Sequence, residues 1–259
     1  MLIDTHCHLN HENFELDLLQ TVERSLSAGV EKSIVVGFDL ASSRRAVELA
    51  DQFPTIYAAI GIHPTDCNQW NSTIAEEFRS LSKNPKVVAI GEIGLDYHHG
   101  SRGDEQQTYV FCEQIDLAVE LGLPIIIHCR EAYPETLKML SQRAMGKTGV
   151  VMHCFAGNMT ELQRTMDIGF YAGFGGVITF KNAPQSRDCL ATCLPDKCIL
   201  ETDAPYLAPV PFRGKRNEPS YTRVVAQAAA EIRGVKFSEI CEQSTNNALR
   251  LFPRLSSVI

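Results

Sequence analysis

Residues 123–129 read LPIIIHC, three isoleucines in a row followed by a histidine. A strand wet on one face alternates apolar and polar side chains, whereas a run apolar at both parities suits a parallel strand covered on both faces. Seven further runs share the strand-like character: LIDTH (2–6), KSIVVGF (32–38), TIYAAIGI (55–62), KVVAIGEIG (86–94), GVVMHCF (149–155), GFYAGFGG (169–176) and KCILETD (197–203). Helical patterns lie between them, among them ELDLLQTVERSLSAG (15–29), EQQTYVFCEQIDLAVELG (105–122), MTELQRTMDIG (159–169) and a weaker APQSRDCLATC (183–193). Two more close the chain at 221–234 and 238–252, and Gly29, Gly122, Gly169 and Gly234 stand where helix C-caps are wanted. Eight strands alternating with helices predict an α/β fold, a (β/α)8 TIM barrel, with a doubly wound sheet as the alternative.

The 259 residues suit a single barrel domain spanning 1–259, and 44% hydrophobic with 21% charged residues supplies an ample core. No apolar run reaches the length of a membrane span and no basic leader precedes LIDTH, so neither membrane association nor a signal peptide is expected. Nine irregularly spaced cysteines without a CxxC pair argue for reduced thiols and a cytoplasmic protein. The net charge of −7 speaks against a broad basic face for nucleic acid, and RGKR (213–216) reads as a solvated loop. Two phosphate-loop look-alikes fail. GKT (146–148) has Ser141 where the upstream glycine belongs, and GFGG (173–176) lacks the dinucleotide spacing and reads as close backbone approach.

In a barrel, reacting groups collect at the C-terminal strand ends. Those ends carry His6 and His8, then His63, Glu92, His128, His153 and Asp203. His6 and His8 share a strand face because side chains at i and i+2 point the same way. Five of the eight histidines sit at strand ends, while His11, His98 and His99 fall in loops. Imidazole and carboxylate together accept Zn²⁺, Mn²⁺ or related ions. Four histidines with Glu92 and Asp203 exceed one tetrahedral ion and suit two divalent ions bridged by a carboxylate. Each residue also has a plainer reading. Glu92 could pair with an arginine, Asp203 in TDAP could form a turn, and His63 before Pro64 could be a turn residue. Cys7, Cys129 and Cys154 each follow a strand-end histidine, and alternation turns them outward into packing.

Seven stretches in order, DTHCHL, GIHP, GEIGLDY, IHCR, HCF, ETDAPYL and RNEP, closely resemble the TatD family of metal-dependent deoxyribonucleases and hydrolases, from residue 1 to about 252. The resemblance implies a cytosolic barrel of the metal-dependent hydrolase type acting on phosphodiester bonds. It implies one metal on His6, His8, Glu92 and Asp203, and a second on Glu92, His128 and His153, with Glu92 bridging. His63 resembles the family's substrate-contacting histidine, and Arg130, Arg216 and Asn217 fall in motifs near the substrate phosphate. Asp203 and Glu92 are the expected catalytic residues, with Asp203 accepting a proton from the attacking water. The substrates implied are DNA ends or nucleotides, with no obligate protein partner. The acidic charge fits an exonuclease that takes one strand end into a pocket better than an endonuclease lying along duplex, and the resemblance implies 3′-5′ action on single-stranded ends. The same ligands could serve another ester or amide, such as an aminoacyl-tRNA, and zinc, manganese and magnesium are not distinguished.

Overall fold

The computed structural model describes residues 1–256, so the last three residues of the expected 1–259 domain lie outside the described part. Eight strands form one parallel sheet in sequence order: β1 Leu2–Cys7, β2 Val30–Val36, β3 Ile56–Ile60, β4 Val87–Asp96, β5 Ile125–Arg130, β6 Val150–Met152, β7 Tyr171–Phe174 and β8 Cys198–Leu200. The sheet curls back on itself. Cys7 bridges Ala204, the His8 amide donates to Ala204 O at 2.6 Å, and Thr5 Oγ1 donates to Leu200 O at 3.0 Å. Helices α1 Leu18–Ser27, α2 Leu40–Gln52, α3 Ser72–Leu81, α4 Glu105–Leu121, α5 Tyr133–Arg143, α6 Met159–Asp167, α7 Pro184–Thr192, α8 Thr222–Arg233 and α9 Phe237–Leu251 follow the strands. The architecture is the (β/α)8 barrel, and the doubly wound alternative is excluded by the closure of β8 onto β1.

Local chemistry explains the boundaries. Asp39 and Asn158 cap α2 and α6 by accepting from N3 amides, with Ser42 and Glu161 answering in full capping boxes. Gly122 and Gly234 end α4 and α8 in the left-handed conformation that an L side chain resists. Five strands, β3 and β5 to β8, are shorter than their apolar runs. β6 stops at Met152 because Cys154 turns to φ 43°, and β8 stops at Leu200 because after Glu201 the chain leaves β7, with Thr202 and Asp203 bonding β1.

The apolar runs divide by parity, as a two-sided burial demands. Ile34, Val36, Ile126, Val151 and Ile199 fill the barrel interior, while Val35, Ile125, Ile127, Val150 and Leu200 pack under the helices. Ala248, Leu251, Phe252 and Leu255 join the interior cluster and plug the lower mouth. The interior is therefore solid below, and only the rim at the C-terminal strand ends is open to polar chemistry. Register shifts between Asp4 and Cys7 and between Ile90 and Ile93 bend β1 and β4 where each delivers its polar residues to that rim.

Candidate metal centre

His6 and His8 meet as their spacing predicts. His8 Nδ1 donates to the Val36 carbonyl at 2.9 Å, which leaves the Nε2 lone pair facing His6 Nε2 at 3.2 Å. Asp203 holds a left-handed backbone, φ 59°, fixed by its amide donating to His6 O at 2.9 Å. Its Oδ1 lies 3.5 Å from His8 Nε2 and 3.8 Å from His6 Nε2. Glu92 Oε2 completes the set, 3.5 Å from His6 Nε2 and 3.8 Å from His8 Nε2. Four donors sharing one ion at about 2.0–2.2 Å stand about 3.3–3.6 Å apart in a tetrahedron. The separations among His6, His8 and Asp203 bracket that spacing, so these three donors fit a divalent cation, with Glu92 Oε2 beside the two imidazoles.

The other oxygen of Glu92 serves a second group of imidazoles. Oε1 lies 2.8 Å from His128 Nδ1, 3.7 Å from His153 Nε2 and 3.9 Å from His63 Nε2. One carboxylate thus presents Oε2 to the His6–His8 pair and Oε1 to the other histidines. The His6 and His153 rings stack at 3.5 Å and 17°, which ties the two halves together.

Two buried acids that sequence reasoning missed hold this second group. Glu201 Oε1 accepts from His153 Nδ1 at 3.0 Å, and Asp96 Oδ2 accepts from His128 Nε2 at 3.0 Å. Each engages the ring nitrogen opposite the one that faces Glu92, which fixes the ring's orientation. A parity signal was present in both cases. Glu201 is two residues before Asp203, and Asp96 is four after Glu92.

The cluster demands positive charge. Burial opposes ionisation of Glu92, yet His153 and the His128 and His6 hydrogen bonds hold its carboxyl well below the usual range. Burial likewise opposes ionisation of Asp203, and His8 and His153 hold it low. Burial works against charge on His128 and His153 as well, but Asp96 and Glu92 push the first up to about 9, and Glu201 and Glu92 push the second up to about 10. His63 behaves oppositely, since burial lowers it to about 4. The Thr65 hydroxyl and amide lie against His63 Nδ1 at 2.6 and 3.2 Å, which turns Nε2 toward Glu92 at 3.9 Å.

The cluster lies at the junction of two lobes of one cavity. An inner lobe of about 390 Å³ has walls from Cys129, Cys154, Ala156 and Leu207, and an outer lobe of about 680 Å³ adds Phe38, Thr65, Asp66, Asp96 and His99. His8, His63, Glu92, His128, Arg130 and Tyr206 border both. Arg130 therefore reaches the site as expected. Arg216 and Asn217 do not line either lobe. Arg216 is clamped on both oxygens of Asp17 at 2.7 Å, and the fully buried Asn217 amide donates to Thr202 O at 2.8 Å and Tyr206 O at 2.6 Å. The two residues expected at the phosphate instead brace the rim, Asn217 by fastening the turn that carries Asp203.

Other expectations resolve one by one. Cys7 packs outward, and Cys129 packs with Sγ 3.4 Å from Thr136 Oγ1 in α5 while also bordering the inner lobe, but Cys154 corrects the outward reading because its turned backbone brings it to the cavity wall. His98 and His99 stay outside the cluster and bind Glu131 and Asp96 at 3.0 and 2.9 Å. Close backbone approach at GFGG holds, since a Cβ on Gly176 would stand 2.1 Å from Leu207 O.

Comparison with known proteins agrees with this geometry. A family model described as "TatD related DNase" matches residues 3–253. The chain is 44% identical to "Uncharacterized metal-dependent hydrolase YabD" of Bacillus subtilis, over 97% of this chain and 99% of that protein. It is 34% identical to "3'-5' ssDNA/RNA exonuclease TatD" of Erwinia tasmaniensis, again over 97% and 99%. The crystal structure of YJJV, a TatD homologue from Escherichia coli, superposes with a TM-score of 0.92 at 33% identity, covering 97% of this chain and 98% of that one.

Proposed function

The chain belongs to the TatD-related DNase family of metal-dependent hydrolases, and from that premise we propose that it is a 3′-5′ exonuclease on single-stranded nucleic acid ends, with two divalent ions that the histidines on either side of Glu92 would help to hold. The observation that carries the reading is the division of Glu92, with Oε2 on His6 and His8 and Oε1 on His128, His153 and His63. His6, His8, Glu92 and Asp203 would hold one ion, and Glu92, His128 and His153 the other. When bound, such ions supply a water ionised near neutral pH and positive charge for phosphoryl oxygens.

The remaining work falls to the chain's own groups. Asp203, on the wall of the inner lobe, accepts the proton of the attacking water. The water oxygen bonds to phosphorus, the phosphorus–oxygen bond to the penultimate sugar breaks, and that sugar oxygen leaves as a hydroxyl with the proton that Asp203 accepted. His63 suits the growing phosphoryl charge, because its Nε2 is the ring nitrogen that faces the cluster. Arg130 borders both lobes, and its guanidinium has no ion-pair partner among the described residues, so it is free to meet the phosphate.

Two coarser proposals accompany this one. Residues 1–259 act as a single hydrolase domain. The nine cysteines are free thiols, which supports work in the reducing cytoplasm, and among the described residues no helix is long and apolar enough to cross a membrane.

The test is turnover of a 5′-labelled single-stranded oligonucleotide by chelator-stripped protein reloaded with zinc, manganese or magnesium, beside nitrophenyl carboxyl ester and amide substrates. Metal-dependent laddering from the 3′ end supports the proposal. Turnover of the ester or amide without the oligonucleotide overturns it.

A further inference from the structure

The outer lobe differs in chemistry from the junction it adjoins. Phe38 and Tyr206 supply aromatic wall, each set edge-on to the His8 ring at centroid separations of 5.7 and 6.1 Å, and Tyr206 is half exposed. Thr65 and Asp66 line this lobe alone. Asp66 accepts from Thr65 Oγ1 at 3.0 Å and from Gln69 Nε2 at 3.0 Å, and among the described residues no cation pairs with it. Asp96, the other acid here, is engaged by His128 and His99. Asp66 is thus the lobe's uncompensated negative charge, while Arg130, His8, His63 and His128 keep to the boundary shared with the inner lobe and His99, inside the outer lobe, is taken up by Asp96.

This distribution sorts the parts of a nucleotide. Phosphate is attracted to the junction and repelled from the outer lobe. A base stacks on aromatic wall whatever its identity. A sugar hydroxyl can donate to a carboxylate, and a terminal phosphate in the same place meets like charge. At about 680 Å³ the lobe has the size of a small-ligand site.

Resting on the exonuclease reading, we propose that the outer lobe is the pocket for the terminal nucleoside, with Phe38 and Tyr206 contacting its base, and that Asp66 selects a free terminal hydroxyl over a terminal phosphate. The enzyme then trims strands ending in 3′-hydroxyl and stalls on ends left phosphorylated by other cleavage chemistry.

The experiment compares kcat/KM of the metal-loaded full chain on two single-stranded oligonucleotides differing only in a 3′-hydroxyl or a 3′-phosphate. The wild type should prefer the hydroxyl end about tenfold or more, the factor that a charged hydrogen bond of ordinary strength carries. Asp66→Asn, folded by circular dichroism, should bring the ratio within roughly twofold, through faster cutting of the phosphate end, because the carboxylate charge is gone. A wild-type ratio near one overturns the proposal without any variant, and so does an unchanged ratio in Asp66→Asn, while the exonuclease reading stands in both cases. If neither oligonucleotide is cut, the exonuclease reading itself falls and the pocket assignment with it.

Discussion

Glu201 and His153 form a buried pair in which the carboxylate holds ring Nδ1 at 3.0 Å and the ring turns Nε2 toward Glu92 at 3.7 Å. The acid acts through the histidine and does not itself face the substrate. Glu201→Gln keeps the shape and removes the charge, so metal affinity should weaken by roughly 10–100-fold, the usual effect of removing such support. Calorimetric titration of stripped protein checks this, and unchanged affinity would make Glu201 a packing residue.

Arg130 should matter for the reaction more than for the fold. It ends β5, is exposed, and has no ion pair among the described residues to lose. Arg130→Ala should lower kcat/KM on an oligonucleotide by roughly 10²-fold, as expected when one donor to a developing oxyanion is removed, with thermal unfolding shifted little.

Gly94 is where β4 and β5 come closest around the site. A Cβ there would stand 1.8 Å from the His128 carbonyl oxygen, and the residue's φ of 153° already disfavours a side chain. Backbone cannot yield as a flexible side chain does. Gly94→Ala should therefore cost roughly 3 kcal/mol or more and displace His128, read as a fall in unfolding temperature together with loss of metal binding. Gly94→Ala with wild-type stability would contradict the packing described.

Acid should release one surface anchor of the rim. The hydrogen bonds from Arg216, joined by Arg24, hold the Asp17 carboxyl well below its ordinary value against the opposing effect of burial. A depressed carboxylate adds stability above its unfolded pKa of about 4 and loses it as pH falls through the folded value. Asp17 is about one-third exposed, so the gain is modest, under about 1 kcal/mol. Wild type should outlast Asp17→Asn in thermal unfolding at pH 6, and the gap should close between about pH 4 and pH 2. A gap that widens on acidification would reverse the sign.

The barrel was legible because eight apolar runs each had to be buried on both faces, and most of the cluster was legible because its residues punctuate those runs. LPIIIHC shows both at once, with Ile126 inside, Ile125 and Ile127 outside, and His128 at the rim. Illegible were the pairings fixed by the closed barrel. Asp17 meeting Arg216 joins residues 199 apart, and Asn217 binds backbone carbonyls that no side-chain pattern announces. Cys154 escaped because alternation assumes an extended chain, and the backbone turns at that residue. Glu201 was within reach of the same parity rule that found His6 and His8, but its partner His153 lies 48 residues away.

The division of Glu92 between two groups of histidines is tested most directly by anomalous diffraction from crystals of zinc- or manganese-loaded protein. Two peaks flanking the Glu92 carboxylate, about 3.5–4 Å apart, are the predicted result. A single peak bound by both histidine groups, or any ion bound without Glu92, would contradict the account.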